Sequence, residues 1–145
     1  MIIRKRALIF DDDVLILQFL KAVLAKMDYE VFTYNEPTVC PIYEKNAEHC
    51  NQKNPCADLV ITDFEMPKMN GIELLQNQSK RGCPVDFSNK ALISGRGSVA
   101  NAETIKQLGV SFFIKPINMD KITHWVKECE QHIDLSQPLG IPQKR

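Results

Sequence analysis

The sequence predicts an α/β fold, a doubly wound sheet of five parallel strands built from five βα units. Three observations predict it. Short apolar runs alternate five times with stretches of helical apolar spacing, the element order that gives a parallel sheet with helices on both faces. The central runs are almost continuously apolar, as strands buried on both sides are. The first, third, fourth and fifth runs end directly in polar residues. Right-handed crossovers bring all strand C-termini to one edge, where such folds bind ligands.

The elements follow in order. Ala7 to Phe10 is a short apolar run ending in acids and reads as a buried strand. Val14 to Met27 places Leu17, Leu20, Val23, Leu24 and Met27 at helical spacing, with Asp13 as N-cap. Glu30 to Tyr34 is β-branched and aromatic, a second strand. Asp58 to Thr62 is the third, ending at Asp63, and Gly71 to Ser79 carries Ile72, Leu74 and Leu75 as a short helix. Lys90 to Ser94 is the fourth strand, ending at Gly95-Arg96-Gly97. Ser98 to Leu108 is helical and is stopped by Gly109 in the C′ position. Ser111 to Ile114 is the fifth strand, ending at Lys115-Pro116. Asn118 to Ile133 closes the pattern as a helix with Ile122, Trp125, Val126 and Cys129 on one face. Residues 1–133 are expected to form one domain. Residues 134–145, with Pro138, Gly140 and Pro142, are expected to be a loose tail with no room for an output domain.

Composition narrows the class. A chain of 145 residues has one domain's length, and 44% apolar with 25% charged residues is a globular profile. Lys plus Arg number 18 and Asp plus Glu number 18, so the basic excess of a nucleic-acid binder is missing. No apolar run approaches the roughly 20 residues of a membrane span. Arg4, Lys5 and Arg6 precede only four apolar residues before Asp11, Asp12 and Asp13, which is not a signal peptide. Five cysteines is an odd number, and a disulfide framework is not expected. The expectation is a cytoplasmic protein that binds neither nucleic acid nor membrane.

Asp11 and Asp12 after the first strand, Asp63 after the third, Ser94 after the fourth and Lys115 after the fifth therefore converge on one spot. Three crowded carboxylates push one another toward protonation unless a cation sits among them. Carboxylate oxygens without His or Cys nearby suit Mg²⁺ or Mn²⁺. Such a cation can hold a phosphoryl group beside one carboxylate acting as nucleophile. A lysine and a serine there can take up phosphate oxygens. Singly, each residue has a plainer role: the acids as a helix N-terminus or a turn, Lys115 as a solvated charge, Phe112 as core. Their joint position at strand ends overrides this for the acids, Ser94 and Lys115, and less firmly for Phe112.

Leu8-Ile-Phe-Asp-Asp12, Asp58-Leu-Val-Ile-Thr-Asp-Phe-Glu-Met-Pro-Lys-Met-Asn-Gly71, Ala91-Leu-Ile-Ser94 and Phe112-Phe-Ile-Lys-Pro116 resemble the receiver domain of bacterial two-component response regulators. The likeness covers about Arg4 to Ile133, and Met-Pro three residues after Asp63 with Gly eight after it is its most specific part. The resemblance implies a flavodoxin-like sheet with strand order 2-1-3-4-5. It implies Asp63 as phosphoacceptor, Asp12 as direct metal ligand, Asp11 holding the metal through water, and the Glu65 backbone carbonyl completing the coordination of Mg²⁺ or Mn²⁺. Ser94 would be the switch hydroxyl, Lys115 the phosphate-binding lysine and Phe112 the switch aromatic. Inward motion of Ser94 would turn the Phe112 ring and reshape the face of helix four, strand five and helix five. The implied partners are a sensor histidine kinase or phosphotransfer protein, an output protein reached by contact, and a second copy of the chain on phosphorylation.

Three segments depart from that pattern. Asn35 to Ala57 is longer than a plain receiver needs, and Pro41 and Pro55 bracket an expected helix near Ile42 to Gln52. Its Cys40, His49, Cys50 and Cys56 do not have zinc spacing, and uncrosslinked thiols are the expectation. Glu65 and Arg96 each lie two residues past a key position and should rim the phosphate pocket, as a pair limiting water's access or as two solvated charges. The loop from Gly82 to Lys90 is also long, and Trp125 is expected to pack inward.

Two other functions compete with a phosphoacceptor acting alone. Haloacid-dehalogenase-type phosphatases place a nucleophilic Asp after strand one and a second Asp two residues on, a spacing Asp11 and Asp13 share. That reading leaves the Asp63 segment unexplained and lacks a late acidic pair. A pseudo-receiver that works without phosphate would not need all five key positions filled.

Overall fold

The fold is a computed structural model, which describes residues 5–37, 50, 53–95 and 101–140. Its strands are β1 (Lys5–Phe10), β2 (Tyr29–Tyr34), β3 (Leu59–Asp63), β4 (Lys90–Ser94) and β5 (Ser111–Ile114). They form one sheet in the order β2-β1-β3-β4-β5, and every neighbouring pair is parallel. This is the flavodoxin-like order expected from the sequence. The described helices are α1 (Val14–Lys26), α2 (Gly71–Lys80), α3 (Ala102–Leu108) and α4 (Met119–Glu130).

Strand alternation sorts the apolar side chains into two layers. Ala7, Ile9, Leu59, Ile61, Ala91 and Ile93 pack with Leu17, Leu20 and Leu24 of α1 and Ile122, Trp125 and Val126 of α4. On the other face Leu8, Phe10 and Val60 pack with Leu74 of α2. Leu92 there meets Ile72 and Leu75, with Ile105 and Leu108 of α3 against them. Trp125 is buried as expected and meets the Phe113 ring edge-on at 5.9 Å between centroids.

The boundaries differ from expectation by one to three residues. β1 starts at Lys5 because Lys5 and Arg6 stand opposite Tyr29 and Glu30 of β2, a pairing that charged side chains hide from apolar pattern. α4 ends at Glu130, and His132 and Ile133 continue only as a turn on the carbonyls of Cys129 and Glu130. Gly109 is left-handed at φ 77° and caps α3 as predicted. Of the helix expected near Ile42 to Gln52 only Cys50 is described, outside any regular element and with its N–H donating to Arg81 O at 2.8 Å; residues 98–100 of the helix before β5 lie outside the described residues. The described part of the tail, residues 134–140, touches the domain. Gly140 N–H donates to the Pro55 carbonyl at 2.7 Å, and Arg6 Nη1 donates to the Gly140 carbonyl at 2.8 Å.

Candidate functional site

Extension of the sheet hydrogen bonding builds the site. Asp11 N–H donates to Tyr34 O at 3.0 Å, Phe64 N–H to Ile93 O at 2.7 Å and Lys115 N–H to Ser94 O at 2.8 Å. The residues just past β1, β3 and β5 are thus held by the strands beside them. Asp13 caps α1, accepting from Leu15 N–H at 2.9 Å, while its own N–H donates to Asp11 Oδ1 at 2.9 Å. One carboxylate starts the helix and the other is locked in place by that start.

The loop from Asp63 to α2 is fixed as tightly. Gly71 N–H donates to Phe64 O at 2.8 Å, and a Cβ on Gly71 would lie 2.2 Å from the Asp63 carbonyl oxygen. The glycine eight residues after Asp63 is therefore required by a backbone approach that no side chain permits. Asn70 and Glu73 close a reciprocal cap on α2. Thr62 Oγ1 donates to the Asp63 carbonyl at 3.0 Å.

Carboxylate oxygens of Asp11, Asp12 and Asp63 lie within 4.8 Å of one another. Lys115 Nζ is 3.1 Å from Asp63 Oδ1 and 3.4 Å from Asp11 Oδ2. Asp11 and Asp63 are buried and Asp12 is exposed. Burial first, and the Asp11 carboxylate second, push Asp63 up to about 6. Burial also raises Asp11, against the Asp13 N–H and the Lys115 charge. Burial alone would depress Lys115; its bonds to Asp63 and the charges of both acids raise it. The buried Asp11 Oδ2 has the Lys115 ammonium at 3.4 Å, an ammonium that Asp63 also shares. An all-oxygen donor set and three carboxylates against one ammonium together fit a hard divalent cation. Among the described residues this is the one His, Cys, Asp and Glu group so clustered.

Ser94 is buried at the end of β4. With Phe64, Ile72, Leu92, Asn101, Ile105 and Phe112 it lines a cavity of about 10 Å³. Phe112 is half-buried on β5, and Glu65 is exposed on the loop after Asp63. The structure thus brings Asp11, Asp12, Asp63 and Lys115 together and sets Ser94 and Phe112 side by side on one small cavity. Arg96, Cys40 and His49 lie outside the described residues. Asp13, whose side chain is committed to the helix cap, is a poor second catalytic acid for the phosphatase reading.

Sequence reasoning missed two features. Val14, Leu15 and Phe19 are exposed apolar residues in the first two turns of α1, the helix that Asp13 caps; helical apolar spacing alone does not say which apolar residues face solvent. Lys90 is fully buried against Gln78 and Cys83. The available signal was a lysine opening a strand that is otherwise apolar.

The family model described as the response regulator receiver domain matches residues 7–127. A protein-glutamate methylesterase/protein-glutamine glutaminase of Trichodesmium erythraeum is 31% identical over 117 residues, 79% of this chain and 31% of that protein. The two-component response regulator ARR11 of Arabidopsis thaliana is 29% identical over 118 residues, 81% of this chain and 21% of that protein. The chain spans 31% and 21% of the length of these curated relatives. The crystal structure of a CheY-like response regulator receiver domain protein of Methanospirillum hungatei superposes with a TM-score of 0.64 at 28% identity, covering 90% of this chain and 99% of that one.

Proposed function

The chain belongs to the response regulator receiver domain family, and on that premise we propose that Asp63 accepts a phosphoryl group from a histidine kinase or phosphotransfer protein. The observation that carries this reading is the buried carboxylate of Asp63 set 3.1 Å from Lys115 Nζ and within 4.8 Å of Asp11 and Asp12. An Asp63 oxygen attacks the phosphorus and the donor nitrogen leaves. Lys115 then exchanges its carboxylate contacts for a phosphoryl oxygen. Asp11, Asp12 and Asp63, with the Glu65 carbonyl, would hold Mg²⁺. Bound there, the ion supplies positive charge to the transferring phosphoryl oxygens. Glu65 and Arg96 would rim the pocket and limit water's access to the acyl phosphate, whose hydrolysis resets the domain.

Ser94 would move toward the phosphoryl group. The cavity it shares with Phe112 is too small for the ring to enter, so that motion must enlarge it before Phe112 turns inward. The readout would be the face of α3, β5 and α4, where Ile114 and Met119 are exposed, an apolar surface suited to an output protein or a second copy of the chain. The exposed Val14, Leu15 and Phe19, in the first two turns of α1 after Asp11–Asp13, would offer the phosphodonor an apolar docking surface. No described helix is long and apolar enough to cross a membrane, and the reading places this signalling in the cytoplasm.

Intact mass after incubation with a small acyl phosphate and Mg²⁺ tests it. One phosphoryl adduct, dependent on Mg²⁺ and lost in Asp63→Asn, is expected. An adduct that survives Asp63→Asn, or forms without divalent cation, would overturn the assignment.

A further inference from the structure

Away from the carboxylates, a lysine and a cysteine meet inside the joint between α2 and β4. Lys90 is the first residue of β4 and is fully buried. Its Nζ donates to Gln78 Oε1 of α2 at 2.5 Å, contacts Cys83 Sγ at 3.3 Å and lies 3.8 Å from the centre of the Phe87 ring. The turn between helix and strand fixes the sulfur, since Cys83 N–H donates to the Gln78 carbonyl at 2.9 Å. Amide, ring and sulfur thus hold one nitrogen against one sulfur. Phosphoryl chemistry uses neither group.

A buried ammonium is costly unless it is well partnered. Gln78 and the Phe87 ring supply partners, by hydrogen bond and by cation–π attraction. A thiol is a weak acceptor, so the contact with Cys83 adds little to that stabilisation. It does place a nitrogen that becomes a nucleophile on losing a proton within 3.3 Å of a sulfur whose residue is partly open to solvent. The two residues differ in access, Cys83 partly exposed and Lys90 fully buried, so an oxidant from solvent meets the cysteine first.

We propose that Cys83 and Lys90 are a peroxide-responsive pair that closes into a covalent sulfur–nitrogen link. The Cys83 thiol gives its proton to solvent, and the thiolate attacks hydrogen peroxide. A sulfur–oxygen bond forms, the peroxide bond breaks, and the departing hydroxide takes a proton from the Lys90 ammonium to leave as water. The products are a sulfenic acid and a neutral amine. Nζ then attacks Sγ. The sulfur–nitrogen bond forms, the sulfur–oxygen bond breaks, and hydroxide leaves with an Nζ proton as a second water. The sulfur has lost two electrons and the peroxide has gained them. A sulfenic acid condenses with a thiol or an amide nitrogen by the same displacement, and Lys90 supplies a better nucleophile already in place. The link would fasten the end of α2 to the start of β4, the strand that ends in Ser94, and thiol reductants would reopen it.

Peptide mapping of the whole chain after mild peroxide treatment tests this. Trypsin normally cuts after Lys90, and the segment 82–96 contains Cys83 as its one cysteine. The expected product is the uncut 82–96 peptide, lighter by two hydrogens and restored to normal mass and cleavage by dithiothreitol. With one cysteine in the peptide, that mass cannot be an internal disulfide. Lys90→Arg keeps the charge and should abolish the product, leaving Cys83 heavier by oxygen. Cleavage after Lys90 in the oxidised wild type would overturn the proposal. So would Cys83 recovered as an oxide alone, in a disulfide, or unreacted.

Discussion

The two edges of the sheet carry similar charged residues and use them in opposite ways. At the edge where the strands begin, carboxylates are matched by cations. Lys5 pairs with Glu130, Arg6 Nε lies 2.9 Å from Glu30, and Asp58 accepts from the Arg6 backbone N–H at 2.8 Å and is favoured as an anion by the Arg6 and Lys5 charges. At the edge where they end, Asp11, Asp12 and Asp63 share Lys115. Burial raises the pKa of both Asp58 and Asp63. At Asp58 the next influences, from Arg6 and Lys5, oppose it, whereas at Asp63 the next, from Asp11, adds to it. Pairing, rather than the amount of charge, separates a structural edge from a reactive one.

The sharpest break in this comparison should come from Gly71→Ala. The added Cβ would meet the Asp63 carbonyl oxygen at 2.2 Å and Leu92 Cδ1 at 2.7 Å, so backbone must move. Urea unfolding should show a loss of about 3 kcal/mol or more, and phosphoryl adduct formation should fall because the loop that aims Asp63 is displaced. Unchanged unfolding would mean that the loop is not held as described.

A mid-sized effect should come from Asp63 itself, with an unusual sign. Its pKa is about 6 folded against 3.8 for the unfolded group. Folding therefore favours the protonated acid, and ionisation of Asp63 costs stability as pH rises from 3.8 through 6. Asp63→Asn removes that cost. It should stabilise the metal-free domain at pH 7 by up to about 3 kcal/mol, and the gain should vanish below about pH 4. Saturating Mg²⁺ should shrink the difference at pH 7, because a cation bound to the wild-type carboxylates stabilises the folded state by mass action. Thermal unfolding across pH, with and without Mg²⁺, reads both effects. A mutant less stable than wild type at pH 7 without metal would break the claim that this edge is under-compensated.

What the sequence made legible follows the same division. The convergence of Asp11, Asp12, Asp63, Ser94 and Lys115 on one edge could be inferred because apolar runs end abruptly in chemistry-bearing residues, whereas the strand order came only with the family resemblance. The loop after Asp63 was legible as a motif, but its reason, the Gly71 approach to the Asp63 carbonyl, is a distance that spacing alone does not contain. The opposite edge was invisible. No spacing links Lys5, Arg6, Glu30 and Glu130, and only parallel pairing of β1 with β2 and the return of α4 bring them together. Lys90 was hidden for a related reason: its ammonium finds Gln78 twelve residues back, on an element whose rotation about its own axis the sequence leaves open.

The smallest effect tests the quiet edge. Tyr29 is buried at the start of β2, and its hydroxyl donates to Glu130 Oε2 at 3.0 Å. Lys5 Nζ stands 4.7 Å from the centre of the same ring and pairs with Glu130. Tyr29→Phe keeps the ring, its packing on the α1–α4 layer and the cation above it, and removes one hydrogen bond. Because Glu130 retains Lys5 and is partly solvated, its oxygen is not stranded, and the loss should be about 1 kcal/mol in urea unfolding. The loss should be the same with and without Mg²⁺, and phosphoryl adduct formation should match wild type. Burial and the Glu130 charge hold the tyrosine's ionisation above its ordinary range, so the hydroxyl stays a donor and the cost should stay flat from pH 6 to pH 9. A Tyr29→Phe penalty that varied with Mg²⁺ would mean the two edges are coupled through the strands between them, and the contrast between a paired edge and a reactive one would have to be redrawn as a single electrostatic unit.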